Sequence, residues 1–176
     1  MDTLMIRRSR VTDVPAIAEI YGNAVTHGTA SFELSPPGQD EMRERWKTLV
    51  DANFPYFVAE LDSVVCGYSY AGPYRNRPAY RNTVENSVYV ADWAHRRGAG
   101  KALLNTLIQA GVEMGFRQMI AIIGDSAHQA SIRLHESAGF TPAGNLRNVG
   151  FKHGRWLDSV LMQLSLGEGD TTPPTR

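Results

Sequence analysis

The sequence is poor in cysteine, since Cys66 is the only one among 176 residues. A single thiol cannot form a disulfide within the chain, which fits a reducing compartment. Its apolar neighbours in "SVVCGY" predict that Cys66 is a buried packing residue rather than a nucleophile. The chemistry of this chain is therefore expected to proceed without a cysteine intermediate.

The chain also lacks an excess of either charge, because 18 Lys and Arg residues balance 18 Asp and Glu residues. A general binder of nucleic acid or of acidic membranes would be basic, so neither partner is expected. The start "MDTLMIRRSR" lacks the apolar core of a signal peptide, and no apolar run is long enough to span a bilayer. We expect a cytoplasmic protein without a metal site, with one domain over residues 1–166 and a flexible polar tail over 167–176.

Helix and strand patterns alternate along the chain. The sequence predicts helices over residues 12–25, 42–50, 101–115 and 128–139, the first capped by Thr12 or Asp13. It predicts strands over residues 5–10, 56–61, 64–71, 83–90, 118–124 and 156–164. The continuous apolar run "QMIAIIG" further predicts a strand covered on both faces. This mixture indicates an α/β or α+β fold with a mixed sheet.

The segment "HRRGAGKALL", residues 95–104, follows a predicted strand and opens a predicted helix. A helix N-terminus has unpaired N–H groups that attract phosphate, and glycines let a bulky anion approach the backbone. Arg96, Arg97 and Lys101 add positive charge. The segment can thus hold a pyrophosphate, although a solvated loop before a helix fits these features equally well.

Two common phosphate-binding loops are excluded by the spacing. A Walker A loop requires glycine where His95 stands and Ser or Thr where Ala102 stands. A dinucleotide-binding loop requires a third glycine where Leu103 stands.

With its surroundings, the segment resembles the pyrophosphate loop of the GNAT superfamily of acyl-CoA-dependent N-acetyltransferases. That loop runs Gln or Arg, two residues, Gly, one residue, then Gly or Ala, and His95 replaces its first residue. The segment "SIRLHESAGF" is similar to the family's block beside the pantetheine and the thiol. His135 stands there in place of the usual Tyr, and His128 precedes it where many members have Asn.

From about Ile6 to Leu166 the chain resembles the phosphinothricin and methionine sulfoximine N-acetyltransferases. "TVENSVYV", "LHESAGF" and "GFKHGRWLDSVLMQL" carry this resemblance. It implies a GNAT fold, in which helices flank a mixed, mostly antiparallel sheet, and a homodimer. It also implies acetyl-CoA as cosubstrate, a small amino acid as acceptor, and direct attack in a ternary complex.

The resemblance also implies roles for individual residues. Glu85, a carboxylate inside a strand pattern, would accept the proton of the amine, and His135 would donate a proton to the thiolate or contact the thiol. The predicted cofactor-binding residues are Val88, Tyr89, Val90, His95, Arg96, Arg97, Gly98, Ala99, Gly100, Lys101, His128 and Ser131. The predicted acceptor-binding residues are Phe32, Arg75, Glu85 and Lys152.

Each of these residues has a structural alternative: an exposed edge-strand glutamate, a structural histidine, solvated arginines, a surface lysine in a turn, or a core phenylalanine. At the level of function, two alternatives to an amino-acid acetyltransferase stay open. One is an acetyltransferase for protein N-termini or lysines, and the other is a non-catalytic acyl-CoA-binding sensor. A nucleotide-binding switch is disfavoured by the Walker A mismatches at His95 and Ala102.

Overall fold

A computed structural model describes residues 3–176 of the chain. Its centre is a sheet of seven strands. In chain order these are β1 Leu4–Arg8, β2 Tyr56–Leu61, β3 Val64–Pro73, β4 Thr83–Val90, β5 Gln118–Gly124, β6 Thr141–Lys152 and β7 Arg155–Ser165.

The strands lie side by side in the order β1-β2-β3-β4-β5-β7-β6. Every neighbouring pair is antiparallel except β4 and β5, which run parallel. Two parallel neighbours need a long crossover between them, and here a helix provides it. The predicted mixed, mostly antiparallel sheet is therefore confirmed.

Helices cover both faces of this sheet. They are α1 Val14–His27, α2 Gln39–Asp51, α3 Ala99–Glu113 and α4 Gln129–Ser137. The buried stripe of α1 packs with Tyr56 and Val58 of β2, whereas Leu103 and Leu107 of α3 pack with Phe57, which points to the opposite face. Because side chains alternate along a strand, β2 contributes to two separate cores, one under α1 and α2 and one under α3 and α4.

The sequence reading missed β6 entirely. Nearly all side chains of this strand are exposed, so it lacks the alternation of apolar and polar residues that identifies a half-buried strand. Pro142 and two shifts of register further interrupt its pairing with β7. A proline is tolerated there because β6 is the edge strand of the sheet.

Two local predictions need correction. Asp13 is the N-cap residue of α1, but its carboxylate accepts a hydrogen bond from the Arg10 N–H at 2.7 Å and so caps the preceding 3-10 turn instead. The strand β5 was predicted to be covered on both faces, yet Ile122 is 38% exposed. Ile122 follows Ala121, the last residue of β5 that pairs with β4.

The separation of β4 from β5 creates the space for a site. The two strands are paired only from Thr83 opposite Gln118 to Asn86 opposite Ala121. Beyond that point residues 87–90 remain paired with β3 on one side and have no partner strand on the other. Main-chain groups there lack a strand partner, although the Val90 carbonyl oxygen lies 3.1 Å from His95 Nε2.

Residues 167–176, predicted to be a flexible tail, make contacts with Phe116 and Arg117 in the segment between α3 and β5. The Arg117 guanidinium donates to the Gly169 carbonyl oxygen at 3.1 Å, and the Arg176 guanidinium lies 3.8 Å from the centroid of the Phe116 ring. The boundary and the flexibility of the tail stay predictions. Within residues 3–176, no helix combines the length and apolar character that crossing a membrane requires.

Candidate active site

A groove of about 680 Å³ opens where β4 ends, beside the first turns of α3 and α4. Its volume lies within the range of clefts that bind small molecules and cofactors. The lining includes these predicted cofactor-binding residues: Val88, Tyr89, Val90, His95, Arg96, Gly98, Ala99, Gly100, Lys101, His128 and Ser131. Arg97 lies in the same loop but outside the lining.

The glycine-containing loop has the geometry of an anion site. Gly98 is the N-cap of α3 and has a φ of 87°, a left-handed conformation that glycine adopts without a steric penalty. The first-turn N–H groups of α3 have no helical partners, and Gly100 presents no Cβ to the groove. Arg96 and Lys101 place cations in the same lining. This set of donors fits the pyrophosphate of an acyl-CoA.

A second, smaller space of about 60 Å³ adjoins the groove, and we call it the inner cavity. The groove and the inner cavity share Ala30, Val88, Tyr89, His128 and Ser131 in their linings. The inner cavity is completed by Asn86, Ser87, Ala121, Ile122, Ile123, Gly124 and His135. Its volume corresponds to about two water molecules. It lies where β4 and β5 separate, so it can hold a small reacting group at the end of a ligand in the groove.

Glu85 lies inside the sheet, which excludes an edge-strand position for this carboxylate. On β4 it stands opposite Gly72, two residues from the pair of Ser87 and Tyr70, so it faces the side covered by α1 and α2. The carboxylate accepts no hydrogen bond from the residues that the structure describes. Burial raises the pKa of Glu85, and the positive charge of Arg75 partly opposes this. A carboxylate with these properties is suited to accept a proton near neutral pH.

His135 lies on the opposite face of the sheet and is only 4% exposed. Its Nε2 is 3.0 Å from Asn86 Oδ1, and its Nδ1 is 2.8 Å from the Ser131 carbonyl oxygen. The Asn86 amide in turn donates from Nδ2 to the Ile120 carbonyl at 3.2 Å. Burial lowers the pKa of His135, which favours the neutral ring. The predicted catalytic pair, Glu85 and His135, thus lies on opposite faces of the sheet.

His128 immediately precedes α4 and lies at the junction of groove and inner cavity. Its Nδ1 is buried and has no hydrogen-bond partner within the described part of the chain. Burial lowers the pKa of His128, while Asp125 opposes that effect. Burial therefore favours the neutral form of the ring.

The segment 28–33 closes one side of the groove and is held by the turn between β6 and β7. Lys152, which is 4% exposed, donates from Nζ to the Ser31 carbonyl oxygen at 2.7 Å. His153 Nε2 lies 3.1 Å from the Gly28 carbonyl oxygen. Burial lowers the pKa of Lys152. Its surface-turn alternative does not hold, because this side chain is buried and fastens the segment.

Phe32 lies in the same segment and is 38% exposed. Its ring packs against the backbone of two glycines, since a Cβ at Gly150 would lie 2.4 Å from the ring and one at Gly124 would lie 2.8 Å from it. The position next to Gly124 places Phe32 beside the inner cavity. This is compatible with its predicted role as a wall of the acceptor site.

Arg75 lies in the loop between β3 and β4 and is exposed. Its guanidinium lies 4.9 Å from the centroid of the Tyr74 ring, a cation–π contact that restrains the side chain. The positive charge of Arg75 lowers the pKa of Glu85 and so opposes the effect of burial. Its role as a partner of an anionic acceptor stays a prediction.

Sequence reasoning missed two parts of the site. Ala24, Gly28, Thr29 and Ala30 line the groove, but small residues at the end of a helix carry no chemical signal. Asn86 holds the ring of His135, and its polar side chain inside "TVENSVYV" was a signal that could have been used.

Comparisons with known proteins agree with this geometry. The profile of the Acetyltransferase (GNAT) family matches residues 20–140. The chain is 52% identical over 169 residues to phosphinothricin N-acetyltransferase of Alcaligenes faecalis, covering 96% of this chain and 86% of the relative. It is 39% identical over 165 residues to the L-methionine sulfoximine/L-methionine sulfone acetyltransferase of Salmonella typhimurium, covering 94% and 96%.

Among solved structures, a GNAT superfamily phosphinothricin acetyltransferase from Sinorhizobium meliloti in complex with AcCoA has a TM-score of 0.95 to this chain. The two are 45% identical, and the match covers 99% of this chain and 94% of that one. The resemblance inferred from the loop and from the "SIRLHESAGF" block is thereby confirmed. The chain belongs to the GNAT family of acetyltransferases.

Proposed function

We propose that this protein moves an acetyl group from acetyl-CoA to the α-amine of a small L-amino acid, with L-phosphinothricin and L-methionine sulfoximine as the first acceptors to test. One observation supports this reading above the others. Glu85 is a half-buried carboxylate with a raised pKa and no fixed hydrogen-bond partner, and it lies on the strand whose end lines the groove. The relatives named for these two acceptors match the chain over nearly its full length.

Glu85 is the proposed base. The acceptor reaches the enzyme as an ammonium ion, and nitrogen becomes a nucleophile only after it loses a proton. Glu85 takes that proton, either directly or through a water molecule, and passes it to solvent. Arg75 keeps the carboxylate ionised over a wider pH range and offers a cation to the acceptor's acidic groups.

The end of β4 is proposed to orient the thioester of acetyl-CoA. The main-chain groups of residues 87–90 on the side of β5 have no strand partner. A main-chain N–H among them polarises the carbonyl of the acetyl group, and the Gly98 loop holds the pyrophosphate. Acetyl-CoA supplies the activated acyl group, so the chain itself needs no covalent intermediate. Both substrates are then bound together, and the amine attacks directly.

His135 is proposed to hold neighbouring groups in place rather than to transfer a proton itself. Both of its ring nitrogens face acceptor atoms of the protein, and a neutral ring has only one N–H for the two, so none is left to donate to sulfur. Through Asn86 the ring fixes the residue next to Glu85, and through Ser131 it closes a turn of α4. Lys152 is proposed to hold the segment 28–33 over the acceptor, whereas its direct contact with the acceptor stays a prediction.

The proposal is tested by measuring release of the CoA thiol from acetyl-CoA with a panel of acceptors. The panel contains L-phosphinothricin, L-methionine sulfoximine, plain L-amino acids, a peptide with a free N-terminus and a lysine peptide. N-acetylated phosphinothricin, which has no free amine, is the matched control. Turnover with the two glutamate analogues well above that with the peptides is expected. Preference for a peptide would support the protein acetyltransferase instead, and tight acetyl-CoA binding without turnover would support the sensor.

A homodimer is also proposed, and an exposed apolar patch on the β6–β7 hairpin supports it. Leu146, Val149, Phe151 and Trp156 are each more than half exposed. The rings of Phe151 and Trp156 lie 5.3 Å apart, centroid to centroid. Large exposed apolar patches mark association sites, and a second copy of this chain is the proposed occupant.

Light scattering after size exclusion tests the dimer. The wild-type protein is expected at twice the chain mass, and the double variant Phe151→Glu, Trp156→Glu at the mass of one chain. Leu34→Glu is the control, because Leu34 is 74% exposed and lies outside the patch. A wild-type protein at the mass of one chain would contradict the proposal.

A further inference from the structure

Two histidines line the inner cavity, and their hydrogen bonds differ. A neutral imidazole carries only one N–H. For His135, two acceptor atoms already compete for that one N–H, namely Asn86 Oδ1 and the Ser131 carbonyl oxygen. His135 consequently has no N–H to offer to a bound ligand.

His128 has the opposite arrangement. It is one of five residues that line both the groove and the inner cavity, so it stands where the two spaces join. Its side chain makes no hydrogen bond with any residue of the described part of the chain, and Nδ1 is buried without a partner. Asp125 raises the pKa of the His128 ring and His95 lowers it. His128 in turn lowers the pKa of His135. The ring is therefore held by packing and keeps its hydrogen-bonding capacity.

The surroundings of the ring determine where its one proton resides. His128 is the N-cap of α4, and the first-turn N–H groups of that helix create a positive potential next to it. This potential disfavours the charged ring, and it favours a lone pair on the buried Nδ1. These surroundings favour the Nε2–H tautomer, and Nε2, unlike Nδ1, is not among the buried nitrogens without a partner.

We propose that His128 is a further catalytic residue, which donates a hydrogen bond from Nε2 to the sulfur atom of the cosubstrate as the thiolate leaves. This inference rests on the proposed function, because it needs acetyl-CoA in the groove. The amine nitrogen forms the new C–N bond, the C–S bond breaks, and its electron pair goes to sulfur. The second proton of the amine then converts the thiolate to the thiol, while His128 keeps its own proton. The Nε2–H is present in both the neutral Nε2–H tautomer and the charged ring, so the donor is available whether or not the ring is protonated.

The test measures the thiol pKa of CoA bound to the protein, from the ultraviolet absorbance of the thiolate as a function of pH. A hydrogen bond to the thiolate is expected to lower the pKa of the bound thiol by about one unit relative to free CoA. His128→Phe, which removes the donor at similar volume, is expected to abolish the shift, and His128→Asn, which keeps an N–H donor, to retain part of it. His27→Gln, on the exposed end of α1, is the matched control and should behave as wild type.

Desulfo-CoA, which lacks the sulfur, separates this role from a contact with the pantetheine arm. His128→Phe should weaken binding of CoA above its thiol pKa by about tenfold and leave binding of desulfo-CoA unchanged. Equal losses for CoA and desulfo-CoA, with the same bound thiol pKa in wild type and variant, would overturn the inference.

Nitrogen NMR of the wild-type protein gives a readout that depends on no variant. The His128 ring is expected as the Nε2–H tautomer, with an Nε2 signal that moves on addition of CoA but not of desulfo-CoA. An Nδ1–H tautomer, or an Nε2 signal that ignores the sulfur, would show that His128 is not the donor. If acetyl-CoA itself fails to bind, the proposed function fails, whereas normal binding with an unshifted thiol pKa rejects the role of His128 alone.

Discussion

The two halves of the proposed active site, on opposite faces of the sheet, are formed by different kinds of chemical group. On the side of α3 and α4, the groove is formed by main-chain groups, glycines and the first turns of two helices, with Arg96 and Lys101 as the added cations. On the side of α1 and α2, the proposed site has a charged side chain, Glu85, whose pKa is raised by burial and partly lowered again by the positive charge of Arg75 in the loop between β3 and β4. Adjacent residues of β4, Glu85 and Asn86, supply one group to each face, because side chains alternate along a strand.

This difference indicates how each half responds to change. A cofactor held by the backbone depends on the path of the chain and tolerates many side chains. An acceptor held by side chains depends on a few identities. Substitutions should therefore divide into those that alter cofactor affinity through conformation and those that alter turnover through chemistry.

The largest expected effect tests the side built from charged groups. Glu85→Gln keeps the shape of the side chain but cannot accept a proton, and a positioned base contributes about 10²- to 10⁴-fold to rate. We expect kcat to fall by about that factor while the affinity for acetyl-CoA, measured by calorimetry, stays unchanged. Glu19→Gln, on the exposed face of α1, is the control. A loss of less than about tenfold would exclude Glu85 as the base.

A smaller effect tests the side built from backbone. Gly98 has a φ of 87°, and an alanine in the left-handed region costs roughly 1–2 kcal/mol. Gly98→Ala should therefore raise the KM for acetyl-CoA by about 5- to 30-fold with little change in kcat. Gly38→Ala is the matched control, because Gly38 has a φ of −71° and open space around it. If Gly98→Ala lowered kcat instead, the cofactor side would not be separable from the chemistry.

The smallest effect tests the link between Arg75 and Glu85. Arg75 opposes the burial that raises the pKa of Glu85, so its removal lets that pKa rise further. Since the base acts when deprotonated, the acid limb of the kcat/KM profile should move to higher pH in Arg75→Gln. On the acid side the rate should fall by less than about tenfold, because exposed charges are well screened.

Arg77→Gln, in the same exposed loop, is the control for that profile and should leave the limb in place. An unmoved limb in Arg75→Gln together with a raised KM for the acceptor would mean that Arg75 acts on the acceptor alone.

The fold and the cofactor groove were readable from the sequence because their signals are local. The apolar periodicity of α3, the two glycines before it and the strand "TVENSVYV" lie within consecutive residues. Nearly every residue predicted for the cofactor lies in the lining of one groove. In contrast, β6 was missed because an exposed edge strand leaves no apolar pattern, and Ala24, Gly28, Thr29 and Ala30 were missed because small residues carry no chemical signal.

The sequence by itself determined the family, the mixed sheet and the presence of a carboxylate and two histidines near a glycine loop. Only the tertiary structure decided which of the two histidines, His128 or His135, has no hydrogen-bond partner in the described part of the chain. His135 is paired with Asn86, 49 residues away in the chain, whereas His128 is left without a partner at the junction of two cavities. The reason is physical, because a motif specifies the type of a residue but hydrogen bonding depends on what the fold brings beside it. The same packing placed Glu85 of β4 and His135 of α4 on opposite faces of the sheet, which spacing along the sequence alone did not reveal.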